Sequence, residues 1–178
     1  MSFYYDEKVR SFFHIIMNDY FDAFFRGITP FFVLVILLFV IPTILLWKHH
    51  KKRWILLLWI SGLCAGLVSI ILKNSVQRPR PGQELLMWGI KDYSFPSTHA
   101  MVACAVMPFL CALYPRQKWL WVSITTIIIF SRLYLDVHYL SDVLFGSLFG
   151  YGIAWGVLYI NDKYFHQRPW NTPTENSN

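Results

Sequence analysis

Six ionisable residues beside long apolar segments have the side chains needed to bind an anion and to transfer protons. They are two histidines, one carboxylate and three cations: His99, His138, Asp142, Lys73, Arg80 and Arg132. His138 and Asp142 are four residues apart, which places them on the same face of a helical turn. A charge near the end of an apolar run, as at Arg132, is costly and commonly functional. Alone, each has an ordinary structural explanation, such as an arginine extending to the membrane surface. Because all six residues are predicted to lie on one face of the membrane, a shared site is favoured.

A short polar stretch, Pro96-Ser97-Thr98-His99, comes directly before the apolar run that begins at Ala100. Proline fits just ahead of a helix, and Ser97 is a suitable N-cap residue. The free N–H groups and the positive end of the helix dipole favour an anion at this position. The stretch therefore predicts an anion-binding helix start with an acid–base histidine beside it.

The composition indicates that these residues belong to a membrane protein. The chain has 178 residues, of which 56% are hydrophobic and only 15% are charged, whereas soluble domains carry about 25% charged residues. The net charge of +6 lies in short clusters between apolar runs, which argues against a nucleic-acid-binding face. The three cysteines lie inside apolar runs, where we expect them to pack as small hydrophobic residues. We expect one domain over residues 1–170 and a disordered tail over 171–178.

Five apolar runs predict an all-α bundle of transmembrane helices, since a bilayer core needs roughly 17 to 25 helical residues. The runs cover residues 30–47, 54–72, 100–114, 119–135 and 143–160. The third run is short, and we expect it to include the turn at residues 97–99. Pro42 and Pro108 are expected to bend the first and third helices. Two glycine pairs in the fifth run predict close helix packing: Gly146 with Gly150, and Gly152 with Gly156.

The segment before Pro30 differs from these runs because its polar residues recur on one helical stripe. The stripe contains Glu7, Ser11, His14, Asn18 and Asp22. This pattern predicts an amphipathic helix that lies in the membrane interface. A sixth, polar-lined span inside the bundle is the alternative.

The orientation follows from the basic loop KHHKKR at residues 48–53, because basic loops remain on the cytoplasmic side. With five spans, the other basic loop and tail residues fall on the same side: Arg116, Lys118, Lys163 and Arg168. The predicted site then faces the extracytoplasmic side of the cell membrane, and it does so with six spans as well.

Taken in order, the site residues resemble the three-part signature of the type 2 phosphatidic acid phosphatase family. The first part is Lys73 followed, after six residues, by Arg80-Pro81. The second part is Pro96-Ser97-x-His99. The third part is Ser131-Arg132, followed after five residues by His138 and after three more by Asp142. This superfamily also includes vanadium haloperoxidases and glucose-6-phosphatases. The family usually has glycine at the position of Thr98 and frequently has glycine at the position of Asp136. We expect the Asp136 side chain to point away from a bound phosphate or to pair with a nearby cation.

The resemblance implies a role for each residue. His138 is the nucleophile, Asp142 holds its other ring nitrogen, and His99 is the acid and then the base. The phosphate oxygens bind Lys73, Arg80, Ser97, the backbone at Thr98, and Arg132. We expect no metal and no cofactor, because three fixed cations can replace a metal ion. A metal site built from His99, His138, Asp136 and Asp142 is disfavoured, because the nearby cations would repel the ion.

The resemblance implies an integral membrane lipid phosphatase that forms a phosphohistidine at the extracytoplasmic interface. Its substrates would be polyprenyl diphosphates such as undecaprenyl diphosphate, phosphatidic acid, phosphatidylglycerol phosphate or lipid A phosphates. The alternative is a protein that binds or transports lipid phosphates without hydrolysis at the same anion site. The predicted spans disfavour a haloperoxidase. We expect the bilayer and a lipid phosphate as partners and no nucleic acid; the pattern indicates no oligomeric state.

Overall fold

The computed structural model describes residues 3–82 and 93–165, and within these ranges it contains helices and no strands. A short 3-10 turn, Pro115–Gln117, precedes the sixth of seven helices. The helices are α1 (Tyr4–Ile16), α2 (Asp19–Ile28), α3 (Phe31–Lys48), α4 (Lys52–Val76), α5 (Thr98–Leu113), α6 (Lys118–Tyr134) and α7 (Leu140–Phe165). The predicted all-α class is therefore confirmed for the described part of the chain.

Three of the described helices, α3, α4 and α7, are long and apolar enough to cross a membrane. Helices α5 and α6 have 16 and 17 residues and correspond to the third and fourth predicted runs. As predicted, α5 begins in the polar turn, at Thr98. The count of five spans stays a prediction.

Helix α5 occupies the centre of the bundle, and α4, α6 and α7 pack around it. Every residue from Ala100 to Val106 is buried. By contrast, α4 and α7 turn large apolar side chains such as Leu67 and Trp155 outwards. This arrangement suits a bilayer, because the outward residues face hydrocarbon while the short central helix is enclosed by protein.

Two glycines of α7 allow that helix to lie directly against the beginning of α5. A Cβ atom on Gly146 would be 2.8 Å from the Ser97 carbonyl oxygen, and one on Gly150 would be 2.0 Å from the Met101 carbonyl oxygen. The predicted close packing is thus confirmed for this pair. It is wrong for Gly152 and Gly156, because no described atom lies within 4 Å of a Cβ added at either position.

Both prolines that were predicted to bend helices lie inside helical segments. Helix α3 contains a π-helical turn, Ile36–Val40, immediately before Pro42. Proline lacks an N–H and its ring collides with the carbonyl four residues earlier, and a wider turn accommodates this defect. Pro108 lies in the interior of α5, which continues to Leu113.

The N-terminal segment forms two helices, so the prediction of one amphipathic helix is wrong. The chain turns at Met17, and Asn18 caps α2 by accepting a hydrogen bond from the Phe21 N–H at 3.0 Å. The Asn18 N–H donates to the Tyr134 hydroxyl at 3.0 Å. Phe13 of α1 and Phe25 of α2 are buried against Tyr134. These contacts with the end of α6 are the reason for the break in the helical stripe.

Candidate active site

A cavity of about 500 Å³ opens where the beginning of α5, the end of α6 and the turn before α7 meet the end of α2. Its lining includes five of the eight predicted site residues: Arg80, Thr98, His99, Arg132 and His138. Three guanidinium groups line the cavity, because Arg26 of α2 joins Arg80 and Arg132. None of the described lining residues is a carboxylate. The cavity is therefore suited to an anion.

His138 and Asp142 form a buried pair at the beginning of α7. The His138 Nδ1 lies 3.7 Å from Asp142 Oδ2, slightly beyond hydrogen-bond distance. The same Oδ2 accepts a hydrogen bond from the Tyr139 N–H at 2.9 Å. Because Nδ1 faces Asp142 and His138 lines the cavity, Nε2 is the ring nitrogen available to a ligand.

The surroundings of His138 keep its imidazole neutral at neutral pH. Burial and the positive charges of Arg80 and Lys73 together lower the pKa of His138 to about 4, against the opposing effect of Asp142. A neutral imidazole retains the lone pair that a nucleophile needs.

His99, the second residue of α5, presents the other imidazole to the cavity. Phe31 of α3 contacts it edge to face, with ring centroids 5.5 Å apart. The buried Nε2 atom of His99 has no hydrogen-bond partner among the described residues. It is therefore available to a bound group.

The three predicted phosphate-binding cations occupy different positions. Arg80 Nη1 donates to the Val137 carbonyl, adjacent to His138, at 3.4 Å. Arg132 Nη1 donates to the Thr29 carbonyl at 3.2 Å, which connects α6 to the end of α2. Lys73 is buried near the end of α4, and its ammonium donates to the Tyr93 carbonyl. It is not among the cavity-lining residues described, although its charge acts on His138.

Ser97 occupies the predicted N-cap position of α5, but its side chain makes no capping hydrogen bond. The buried Oγ has no hydrogen-bond partner among residues 3–82 and 93–165. The Ser97 N–H donates to the Asp142 carbonyl at 3.0 Å. Thr98 fills the position where glycine is usual, and its hydroxyl lies 2.7 Å from that of Ser69. Its φ is not positive, so its backbone needs no glycine.

Asp136, the second departure from the family pattern, contacts Arg10 and His14 of α1. Its carboxylate accepts hydrogen bonds from Arg10 Nε at 2.9 Å and Nη2 at 3.0 Å, and lies 3.2 Å from His14 Nε2. The expectation that Asp136 pairs with a nearby cation is confirmed. Its φ of 53° is a conformation that aspartate tolerates better than most residues. In the described ranges, no three His, Cys, Asp or Glu side chains cluster as a metal site.

Two functional candidates were not predicted from the sequence, and both contact the beginning of α7. Arg78 donates from Nη1 to Asp142 Oδ1 at 2.6 Å and from Nη2 to Asp6 Oδ2 at 2.7 Å. Arg78 stands two residues before Arg80 in RPRP, so only its proximity to the motif was a signal. No sequence signal pointed to Asp6, because its partner Arg78 is 72 residues away in the chain.

Comparison with known proteins identifies relatives of this arrangement. Phosphatidylglycerophosphatase B of Bacillus subtilis is 32% identical over 114 residues, which are 57% of this chain and 55% of that protein. Undecaprenyl-diphosphatase of Sulfolobus acidocaldarius is 30% identical over 117 residues, which are 62% of this chain and 56% of that protein. The chain thus covers little more than half the length of these curated relatives.

A solved structure has the same fold. The crystal structure of a transmembrane PAP2 type phosphatidylglycerolphosphate phosphatase from Bacillus subtilis superposes with a TM-score of 0.73. The match has 24% sequence identity and covers 92% of this chain and 87% of that chain. The family model of the PAP2 superfamily matches residues 53–166, a range that contains all eight predicted site residues. The chain belongs to the PAP2 superfamily.

Proposed function

We propose that the protein is a membrane lipid phosphatase that hydrolyses a lipid phosphate or polyprenyl diphosphate through a phosphohistidine at His138. The observation that carries this proposal is that two imidazoles and three guanidinium groups line one cavity, with no described carboxylate among them. The family membership and the phosphatase relatives support the same chemistry.

The first chemical step transfers the phosphoryl group to the enzyme. His138 Nε2 attacks phosphorus while the bond from phosphorus to the leaving oxygen breaks, and His99 donates its proton to that oxygen. Asp142 faces His138 Nδ1 across 3.7 Å, where its charge stabilises the positive ring that forms. In the second step His99 takes a proton from water. The water oxygen then attacks phosphorus, the bond to His138 breaks, and inorganic phosphate leaves.

The arginines of the cavity stabilise the charge on the non-bridging oxygens during both steps. A guanidinium group can donate two parallel hydrogen bonds to one phosphate, and Arg80 and Arg132 are both fixed by bonds to backbone carbonyls. The N–H groups at the beginning of α5 add to this field. We propose that these groups supply the compensating charge that a metal ion supplies elsewhere, so hydrolysis should continue in a chelator.

An apolar groove between α3 and α4 supports a lipid as the substrate. The groove has a volume of about 250 Å³, and Gly62, Gly66 and Ile70 form its α4 side. Phe31 lines both this groove and the catalytic cavity. From Gly62 to Ile70 an α-helix extends roughly 12 Å. A phosphate in the cavity can therefore continue into a hydrocarbon chain along the groove.

The number of arginines in the cavity favours a diphosphate. A phosphate monoester carries about −1.5 to −2 charges at pH 7, whereas Arg26, Arg80 and Arg132 bring three positive charges. The second phosphate of a diphosphate adds negative charge at the outer wall, where Arg26 lies. We therefore infer that a polyprenyl diphosphate is bound better than a lipid monophosphate.

The membrane topology supports an extracytoplasmic site. The basic loop at residues 48–53 adjoins the first residue of α4, whereas Lys73 and Arg80 lie at and beyond its other end. A helix of 25 residues is roughly 38 Å long, enough to cross the bilayer core. Because basic loops remain cytoplasmic, we propose that the cavity opens at the outer interface.

Substitution of His138 separates the phosphatase from a lipid-phosphate binder that uses the same cavity. Phosphate release from farnesyl diphosphate is measured for purified wild type, His138→Ala and His49→Ala, whose side chain is exposed in the turn between α3 and α4. We expect wild-type and His49→Ala protein to turn over and His138→Ala to lose nearly all turnover. Absence of wild-type hydrolysis with retained binding of farnesyl diphosphate would support the binder instead.

A further inference from the structure

We propose that Asp6 of the N-terminal helix is a positioning residue for the reaction, because it fixes the Asp142 carboxylate behind His138 through Arg78. This inference rests on the proposed function. Asp6 lies outside residues 53–166, the range that matches the family model. The proposal therefore makes α1 a part of the catalytic site in this chain.

A buried network connects Asp6 to the catalytic pair. The Arg78 guanidinium lies between two carboxylates, with Nη1 at 2.6 Å from Asp142 Oδ1 and Nη2 at 2.7 Å from Asp6 Oδ2. The exposed fractions of the Arg78, Asp6 and Asp142 side chains are 7%, 2% and 0%. Arg78 Nη1 also donates to the Ser141 hydroxyl at 2.7 Å.

Asp6 holds Arg78 and the first turn of α7 in one arrangement. Its Oδ1 accepts the Ser141 N–H at 2.8 Å, and its Oδ2 accepts the Ser141 hydroxyl at 2.8 Å and the Phe3 N–H at 3.0 Å. Carboxylates are stabilising at this end of a helix. Asp6 therefore stabilises the turn that carries His138 and fixes the guanidinium that contacts Asp142.

The division of the Asp142 oxygens gives the network its catalytic consequence. Arg78 occupies Oδ1, so Oδ2 is the oxygen that faces His138 Nδ1 and accepts the Tyr139 N–H. Without Arg78 the carboxylate can rotate, and its negative charge loses a compensating cation. Groups that orient metal-bound histidines from behind commonly change activity about 10- to 100-fold when they are replaced, and we expect an effect of the same size here.

The network is ionised at neutral pH. Burial alone would raise the pKa of Asp6, but hydrogen bonds from Ser141, Arg78 and Phe3 lower it below its ordinary value. Burial alone would lower the pKa of Arg78, but its bonds and charge interactions with Asp6 and Asp142 raise it. Two negative charges and one positive charge thus lie on the side of His138 opposite the cavity.

Opposite charge changes in this network provide the test. Arg78→Gln makes the network more negative, which raises the pKa of His138, whereas Asp6→Asn makes it less negative and lowers that pKa. The other charged groups that act on His138 or line its cavity stay the same: Asp142, Lys73, Arg26, Arg80 and Arg132. If Asp6 and Arg78 only stabilised the fold, their replacement would not shift the pKa of His138 in opposite directions.

The experiment measures kcat, KM and the pH profile of kcat/KM with farnesyl diphosphate for wild type, Asp6→Asn, Arg78→Gln and Glu7→Gln. Glu7 is the matched control, since it is the next residue of α1 and its side chain is half exposed. We expect Asp6→Asn and Arg78→Gln to lower kcat about 10- to 100-fold with little change in KM. The acid limb of kcat/KM should move to lower pH in Asp6→Asn and to higher pH in Arg78→Gln, while Glu7→Gln behaves like wild type.

Wild-type kcat in both network variants, or equal shifts of the limb in the same direction, would overturn the inference. If either variant does not fold, Ser141→Ala is measured instead, because it keeps the charges of both Asp6 and Arg78. A lower kcat at unchanged KM in Ser141→Ala supports the inference, and a wild-type kcat overturns it. Loss of activity in His138→Ala together with normal kcat in the network variants would refute this inference alone and leave the proposed function standing.

Discussion

The contact between Gly150 and the beginning of α5 makes a strong prediction about activity. Replacement of Gly150 by alanine places a Cβ atom 2.0 Å from the Met101 carbonyl oxygen and 2.9 Å from the carbonyl carbon. Both neighbours are backbone atoms, so no side chain can rotate away. Ordinary contact begins at 3.4 Å, so helices α5 and α7 must separate locally by roughly 1 Å, and overpacking of this kind costs about 1–3 kcal/mol.

This separation changes the distance between the two histidines that line the cavity. His99 is two residues before Met101 on α5, whereas Asp142 is in the first turn of α7 and His138 is in the turn just before it. A displacement of about 1 Å can lower the rate roughly 100-fold when two groups must act on one atom. We therefore expect Gly150→Ala to lower kcat about 100-fold and to lower the thermal stability of the detergent-solubilised protein.

Gly152→Ala is the matched control, because it makes the same chemical change two residues later in the same helix. No described atom lies within 4 Å of the added Cβ, so kcat and thermal stability should stay at wild-type values. Phosphate release and thermal unfolding are measured for both variants. Wild-type kcat in Gly150→Ala, or equal impairment of Gly152→Ala, would refute the reasoning from helix contact.

Three further predictions concern the charge of His138 and the two parts of the proposed substrate. Burial and nearby positive charges lower the pKa of His138 to about 4, so on acidification this imidazole is protonated in the unfolded chain before it is protonated in the folded protein. The free energy of unfolding should therefore fall as pH decreases from about 6.5 towards 4. The acid limb of kcat/KM should accordingly lie below pH 5 for two substrates whose phosphates titrate differently; a limb near 6.5 that both substrates share would contradict the neutral environment. Arg26→Ala should lower kcat/KM about 10-fold for farnesyl diphosphate and change it little for farnesyl phosphate, and an equal loss would argue against a second-phosphate contact. Gly66→Leu fills the apolar groove and should slow hydrolysis of long-chain lipids but not of p-nitrophenyl phosphate, whereas Gly152→Leu, outside the groove, should change neither rate.

The helical bundle could be predicted because its signals are local. Each apolar run is long enough to specify a helix, and the polar turn at Ser97 marks the beginning of α5 correctly. The meeting of His99, His138, Arg80 and Arg132 in one cavity was expected because their three segments fall at one face. The catalytic and binding roles of these residues stay predictions.

The parts that could not be predicted depend on partners far away in the chain. The break at Met17 follows from Tyr134, 116 residues after Asn18, and no local pattern encodes that contact. Asp6 and Arg10 lie outside the predicted polar stripe, and their pairing with Arg78 and Asp136 again depends on residues far along the chain. The donation of the Lys73 ammonium to the Tyr93 carbonyl was likewise not expected, and its binding of phosphate stays a prediction.

Detection of the phosphorylated residue shows whether His138 is the nucleophile. Wild type, His99→Ala and His138→Ala are mixed with farnesyl diphosphate labelled in its terminal phosphate, quenched in alkali and mapped by peptide mass spectrometry. His99→Ala should accumulate the label, because a lipid monophosphate leaves without much help from an acid whereas water attack needs the base. We expect label on His138 in that variant and none in His138→Ala. Label on another residue, or turnover by His138→Ala, would contradict it.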